Sequence, residues 1–169
     1  MSTTLEHEKT AAVSLAGKYL TFGLGKESYG IGVLKIREII RMFEITPVPE
    51  LPEHVRGVIN LRGKIIPVID LRTRFGMEHH DTGERSCIVV VQMTSVSHEK
   101  CQMGLIVDGV EEVILIREEE IEPPPRFGGA LHARYILGMI KVKDKVKTLL
   151  DIDQVLAAES LEAIVAATA

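Results

Sequence analysis

The chain predicts an all-β fold of two small five-stranded barrels sharing one hydrophobic core, with a short C-terminal helix. Three observations carry this. Roughly ten short apolar runs of alternating or β-branched character follow one another between Gly, Pro and Asp turn signals, in two groups of about five. The chain also repeats itself: Gly57 to Leu71 (GVINLRGKIIPVIDL) aligns without a gap on Gly138 to Ile152 (GMIKVKDKVKTLLDI), and Tyr29 to Ile40 on Met103 to Ile114, in the same order. Finally, lobes of roughly 60 to 70 residues bury too little surface to stand alone, so two of them should share an interior.

Residues 1–16 lack a sustained period and read as a tail, with order beginning near Lys18. KYLTFGL, SYGIGVL and KIREIIRMF follow as strands, the first two joined by a glycine-bearing hairpin. IREIIRMF also fits a helical period through Ile36, Ile39, Ile40 and Phe43. Its duplicate, GVEEVILI, is richer in β-branched residues and follows the hairpin signal Asp108-Gly109, which favours strand in both copies. TPVPELPEHVRG is a proline-rich crossing with room for one short helical turn at Pro52 to Val55. GVINL and KIIPVIDL form a hairpin around Arg62-Gly63, with Pro67 predicting an edge strand or a bulge. SCIVVVQM, CQMGLIVD and VEEVILI open the second half. EEEIEPPPRFGGALHA is a long loop, and such loops tend to carry function. YILGMIKV and KVKTLLDI complete the strands, and DQVLAAESLEAIVAA reads as a terminal helix. The expected organisation is a tail at 1–16, one domain at 17–156 with barrels at about 17–80 and 84–152, strand exchange between them left open, and a helix and tail at 153–169.

Hydrophobic residues make up 46% and charged residues 26% of the 169 positions, a folded composition. Trp is absent and aromatics reach only 4%, so Val, Ile and Leu must fill the interior. A net charge of -4 offers no cation excess for a phosphate backbone, which argues against nucleic acid and for protein partners. Two cysteines do not make a disulfide scaffold and predict a reducing compartment. The start lacks a basic segment followed by an apolar core, and no run is long enough to cross a bilayer, so a cytoplasmic chain without membrane insertion is expected.

Reactive motifs are missing. Gly57 to Gly63-Lys64 is one residue too long for a phosphate loop, and Ile65 replaces the magnesium-binding hydroxyl. The glycines at 23, 25 and 30 do not form a dinucleotide fingerprint. His79, His80, His98, Cys87 and Cys101 lack a spacing that sets two metal ligands on one rigid element. No serine or cysteine has a local base, so no catalytic residue, metal or cofactor is assigned. Arg62 lies near a surface turn on the face opposite Ile59 and Leu61, and Glu38 faces outward on an alternating strand. Phe127, among polar and glycine neighbours, either folds back into the core or anchors an interface.

The order of YGIGVLKIREI, ITPVP, VRGVINLRGKIIPVIDL, IVVV, GLIVDGVEEVI and GMIKVKDKVKTLLDI resembles the CheW chemotaxis coupling protein family over residues 18–156. The resemblance implies two SH3-like β-barrels and a non-catalytic adaptor. Its partners would be the regulatory domain of a CheA-type histidine kinase and the cytoplasmic tips of chemoreceptors, met in membrane-associated arrays, with the isolated chain monomeric. Carried over by position, Ile36, Glu38, Gly57 and Arg62 would belong to the receptor and kinase-coupling surface, with Val107 as a second wall of an apolar groove. Phe127, flanked by Glu122 and Arg126, would lie in a second kinase-contact loop. The alternatives are a coupling module of a non-flagellar pathway, or a small enzyme using Glu38, Arg62 and a histidine in the cleft between barrels.

Overall fold

The structure, a computed structural model, describes residues 15–78, 83–94, 100–124 and 135–156. Among them lie ten strands: β1 Gly17–Leu24, β2 Glu27–Gly32, β3 Ile36–Arg41, β4 Val55–Leu61, β5 Lys64–Asp70, β6 Cys87–Thr94, β7 Lys100–Val107, β8 Gly109–Ile116, β9 Ile136–Val142 and β10 Lys145–Leu150. Short helices α1, Leu71–Arg74, and α2, Ile152–Leu156, follow β5 and β10, and 3-10 turns cover Val33–Lys35 and Glu118–Glu120. The helical alternative for IREIIRMF loses, because β3 pairs along its length with β6. Where the sequence predicts a second strand running to Leu34, the chain leaves β2 at Gly32 into the 3-10 turn. Residues 157–169, the greater part of the expected terminal helix, lie outside the described residues.

One sheet has the order β8-β1-β2-β10-β9 and the other β3-β6-β7-β5-β4. The sheets are therefore not the contiguous halves 17–80 and 84–152: β1 and β2 join strands from the end of the chain, while β3 to β7 form the other sheet. This exchange corrects two local expectations. Asp108-Gly109 is a crossing between sheets rather than a hairpin, since β7 and β8 never pair. Asp108 there accepts bonds from Gly25 N–H at 2.7 Å and from Arg72 Nε and Nη2 at 2.8 and 2.5 Å, tying the β1–β2 turn to α1. Nor is β5 an edge, as it lies between β4 and β7. Pro67 is tolerated because the parallel pairing with β7 starts one residue later, at Val68.

The repeated segments occupy equivalent places. Each sheet has one parallel pair, β2 with β10 and β7 with β5, and in each a glycine faces the partner strand, Gly30 opposite Leu149 and Gly104 opposite Val68. A Cβ on Gly30 would lie 3.0 Å from Leu149 Cδ2, and one on Gly104 2.7 Å from Ile88 Cγ2. Both β3 and β8 carry a bulge, one at Arg37 and one at Glu111. The hairpins β4–β5 and β9–β10 turn through positive φ at both central residues, Arg62 and Gly63 in one, Lys143 and Asp144 in the other.

Alternation then builds three cores. Ile59, Ile66, Val68, Ile88, Val90 and Ile106 fill one sheet's concave side, and Tyr19, Ile116, Ile140 and Leu149 the other's. Phe22, Ile31, Val89, Val91, Leu105, Leu150 and their neighbours form a larger core that both sheets share. β1, β6 and β7 are thus buried on both faces.

Candidate functional site

In the β3-to-β7 sheet the two edge strands, β3 and β4, curl towards each other and meet. Beyond β3, Thr46 N–H donates to Val58 O at 2.8 Å and Val58 N–H to Thr46 O at 2.9 Å, closing a seam. Gly57 makes that approach feasible: at φ 143 its missing Cβ would stand 2.1 Å from Thr46 O. At the hairpin end of the same strand, Arg62 takes φ 54 and Gly63 φ 84, and Asn60 Oδ1 accepts from Gly63 N–H at 2.9 Å. On the opposite edge the bulge at Arg37 sets Ile36 opposite Val91 and Ile39 opposite Val89, on the shared-core face, while Glu38 falls opposite Val90 on the other face.

Arg62 Nη1 bridges the edges, donating to Glu38 Oε2 at 2.7 Å. The arginine side chain is 74% exposed and the glutamate 26%, so the pair lies at the surface with its carboxylate end half-buried. The hydrogen bond to Glu38, and then its charge, raise the Arg62 guanidinium above its ordinary value, so the pair stays ionised wherever the carboxylate does. The other sheet closes similarly, Glu122 and Met139 exchanging two bonds of 2.8 Å. Its chemistry differs. Glu112, the positional duplicate of Glu38, lies 3.6 Å from Lys147 Nζ, and Lys143 stands at the position of Arg62.

The sequence-predicted residues separate into groups. Glu38 and Arg62 come together at the seam, whereas Ile36, on the same edge strand, lies on the shared-core face. Gly57 and Val107 do not offer a surface: Gly57 is buried against Thr46 and Val107 lies fully buried in the shared core, because the last residue of β7 points between the sheets. Glu122 sits on the seam of the other sheet with Lys141 Nζ 3.6 Å away. Arg126 and Phe127 lie outside the described residues. Sequence reasoning missed the exposed apolar side chains of Ile39, Val113 and Leu115. The duplication could have pointed to the first two, since Val113 is the ungapped partner of Ile39, but the edge positions of β3 and β8 that leave them exposed carry no sequence signal.

For the enzyme alternative, Glu38 is engaged by Arg62, and cavities of about 500, 220 and 150 Å³ are lined by neither residue nor by a histidine. Cys87 and Cys101 are free thiols, both raised above the ordinary value chiefly by burial.

Two closed five-stranded sheets that share a large core define a protein of paired β-barrels, with an ion pair across one seam and apolar side chains at the surface. The family model of the CheW-like domain matches residues 18–160. The chain is 33% identical over 153 residues to the chemotaxis protein CheW of Klebsiella aerogenes, covering 90% of this chain and 89% of that one. It is 31% identical over 143 residues to that of Treponema pallidum, covering 85% and 84%. The crystal structure of the scaffolding protein TtCheW from Thermoanaerobacter tengcongensis superposes with a TM-score of 0.75 at 37% identity, covering 86% of this chain and 95% of that one. The chain belongs to the CheW-like family, whose members are non-catalytic adaptors of chemotaxis.

Proposed function

We propose that this chain couples chemoreceptor cytoplasmic tips to the regulatory domain of a CheA-type histidine kinase, working in the cytoplasm at membrane-associated receptor arrays. The observation that carries it is the Glu38–Arg62 pair, held at 2.7 Å across the sheet seam, with Ile36 and Ile39 on the other face of the same edge strand. The pair supplies orientation and the apolar side chains supply burial, the combination by which an interface selects and anchors a helical partner. Glu122, with Arg126 and Phe127 of the following loop, forms the second contact with the kinase.

Removal of the Arg62 side chain, 74% exposed, takes nothing from the core. Arg62→Gly suits the positive φ of the turn, whereas Arg62→Ala and Arg62→His keep its strain. All three variants should unfold cooperatively yet capture less receptor fragment and less kinase in a pull-down. Unchanged capture by all three would sink the assignment. Phe127→Ala should weaken receptor–kinase assembly at an unchanged melting temperature.

A further inference from the structure

We propose that Asn60 is a positioning residue of the coupling surface: its side-chain carbonyl pins the Gly63 amide, fixes the turn in which Arg62 sits and so aims the guanidinium at Glu38. The inference rests on the reading of the Glu38–Arg62 pair as the coupling site. Asn60 is an exposed residue of β4, between Ile59 in the core and Leu61 at its margin. Leu61 pairs with Lys64, which leaves the Gly63 amide outside the strand ladder. Asn60 Oδ1 accepts from that amide at 2.9 Å.

The pin matters because the ion pair alone does not fix the aim of Arg62. β4 ends at Leu61, so the left-handed backbone at Arg62, φ 54, and not the pleat of the strand sets the direction of its side chain. The contact with Glu38 is one hydrogen bond from Nη1, and the arginine side chain is 74% exposed; a solvated pair of that kind holds neither partner firmly. Without the pin, glycine at 63 lets the turn open to conformers in which Arg62 is right-handed, the side a residue with a Cβ prefers, and the guanidinium leaves Glu38. The duplicated hairpin sharpens the point. There Lys141 stands at the place of Asn60 and, as a donor only, can accept nothing from Asp144. That hairpin still turns through positive φ at Lys143 and Asp144, so a pin is not what closes such a turn. It is present where glycine loosens the turn and where the residue beside that glycine has a target to reach.

Two measurements on the full chain test this: nuclear Overhauser contacts between the Arg62 and Glu38 side chains in the free protein, and affinity for a chemoreceptor cytoplasmic-tip fragment. Asn60→Ala should weaken the contacts and lower the affinity by roughly fivefold, the shift in the turn equilibrium that loss of one ordinary hydrogen bond produces. Asn60→Asp, which keeps an acceptor on the same stem, should recover both. Asn60→Ala added to Arg62→Ala should cost no further affinity, because the pin acts only through that side chain. A turn with a purely structural role would instead lower the urea midpoint of Asn60→Ala and leave the Arg62–Glu38 contacts and the affinity at wild-type values. That result, or full additivity of the two substitutions, would overturn the proposal. Contacts that weaken in Asn60→Ala while Arg62→Ala binds the fragment as tightly as the wild type would uphold the role of Asn60 in aiming Arg62 and sink the coupling reading instead.

Discussion

Gly57→Ala offers the sharpest test of the closed seam. The added Cβ would stand 2.1 Å from Thr46 O and 2.8 Å from Thr46 C, so it falls 0.9 Å short of the 3.0 Å below which such contacts are essentially never seen. The obstacle is backbone, not a side chain that can turn aside. Relief requires the Thr46 segment to retreat, which breaks the two Thr46–Val58 bonds of 2.8 and 2.9 Å. Those are worth about 1 kcal/mol each. Holding a residue with a Cβ at φ 143 adds about 1–3 kcal/mol. The total, about 3–5 kcal/mol, is a large share of the 5–15 kcal/mol typical of a domain. Gly63→Ala is the control: it has φ 84 but nothing within 4 Å of the new Cβ, so it pays the conformational cost alone, about 1–2 kcal/mol. Urea unfolding of both variants, at matched slope, gives the comparison. If Gly57→Ala costs no more than Gly63→Ala, the steric account of the seam is wrong.

Two further outcomes follow from the interior. Lys147, its side chain 8% exposed, reaches Glu111 at 3.4 Å and Glu112 at 3.6 Å, while the duplicate position holds buried Ile66. Lys147→Ala should cost about 1–3 kcal/mol and Lys147→Met less than about 1 kcal/mol, because an apolar chain replaces a buried charge well but a void does not; equal losses in urea unfolding would refute this. His54 is lowered below its ordinary value of 6.5 by burial and then by the charge of Arg74. The unfolded chain therefore takes up this proton first, and stability should decline as pH falls through 6.5 towards the folded value. His54→Gln should flatten that part of the urea-midpoint profile, and an unaltered profile would show that other groups dominate.

Much of the fold was legible because it is local. Short alternating or β-branched runs between turn residues marked the strands, and the duplication anticipated equivalent glycines at 30 and 104 and equivalent hairpins at 62–63 and 143–144. The errors were about pairing. Asp108-Gly109 has the composition of a hairpin and serves as a crossing, Pro67 has that of an edge and sits within the sheet, and Val107 has that of any strand residue and is buried. The site divided likewise: the family's NLRG segment singled out Arg62, but nothing near it in the chain shows that Glu38, 24 positions away, is its partner.

The sequence by itself determined the order of the strands, the repeat, the places of the turns and the family, since each rests on residues within a few positions of one another or on their order. Only the tertiary structure decided which strands exchange between sheets, where the edges meet, why Gly57 can carry no side chain and which carboxylate holds Arg62. Those are contacts between segments far apart in the chain, chosen by which faces must be buried together.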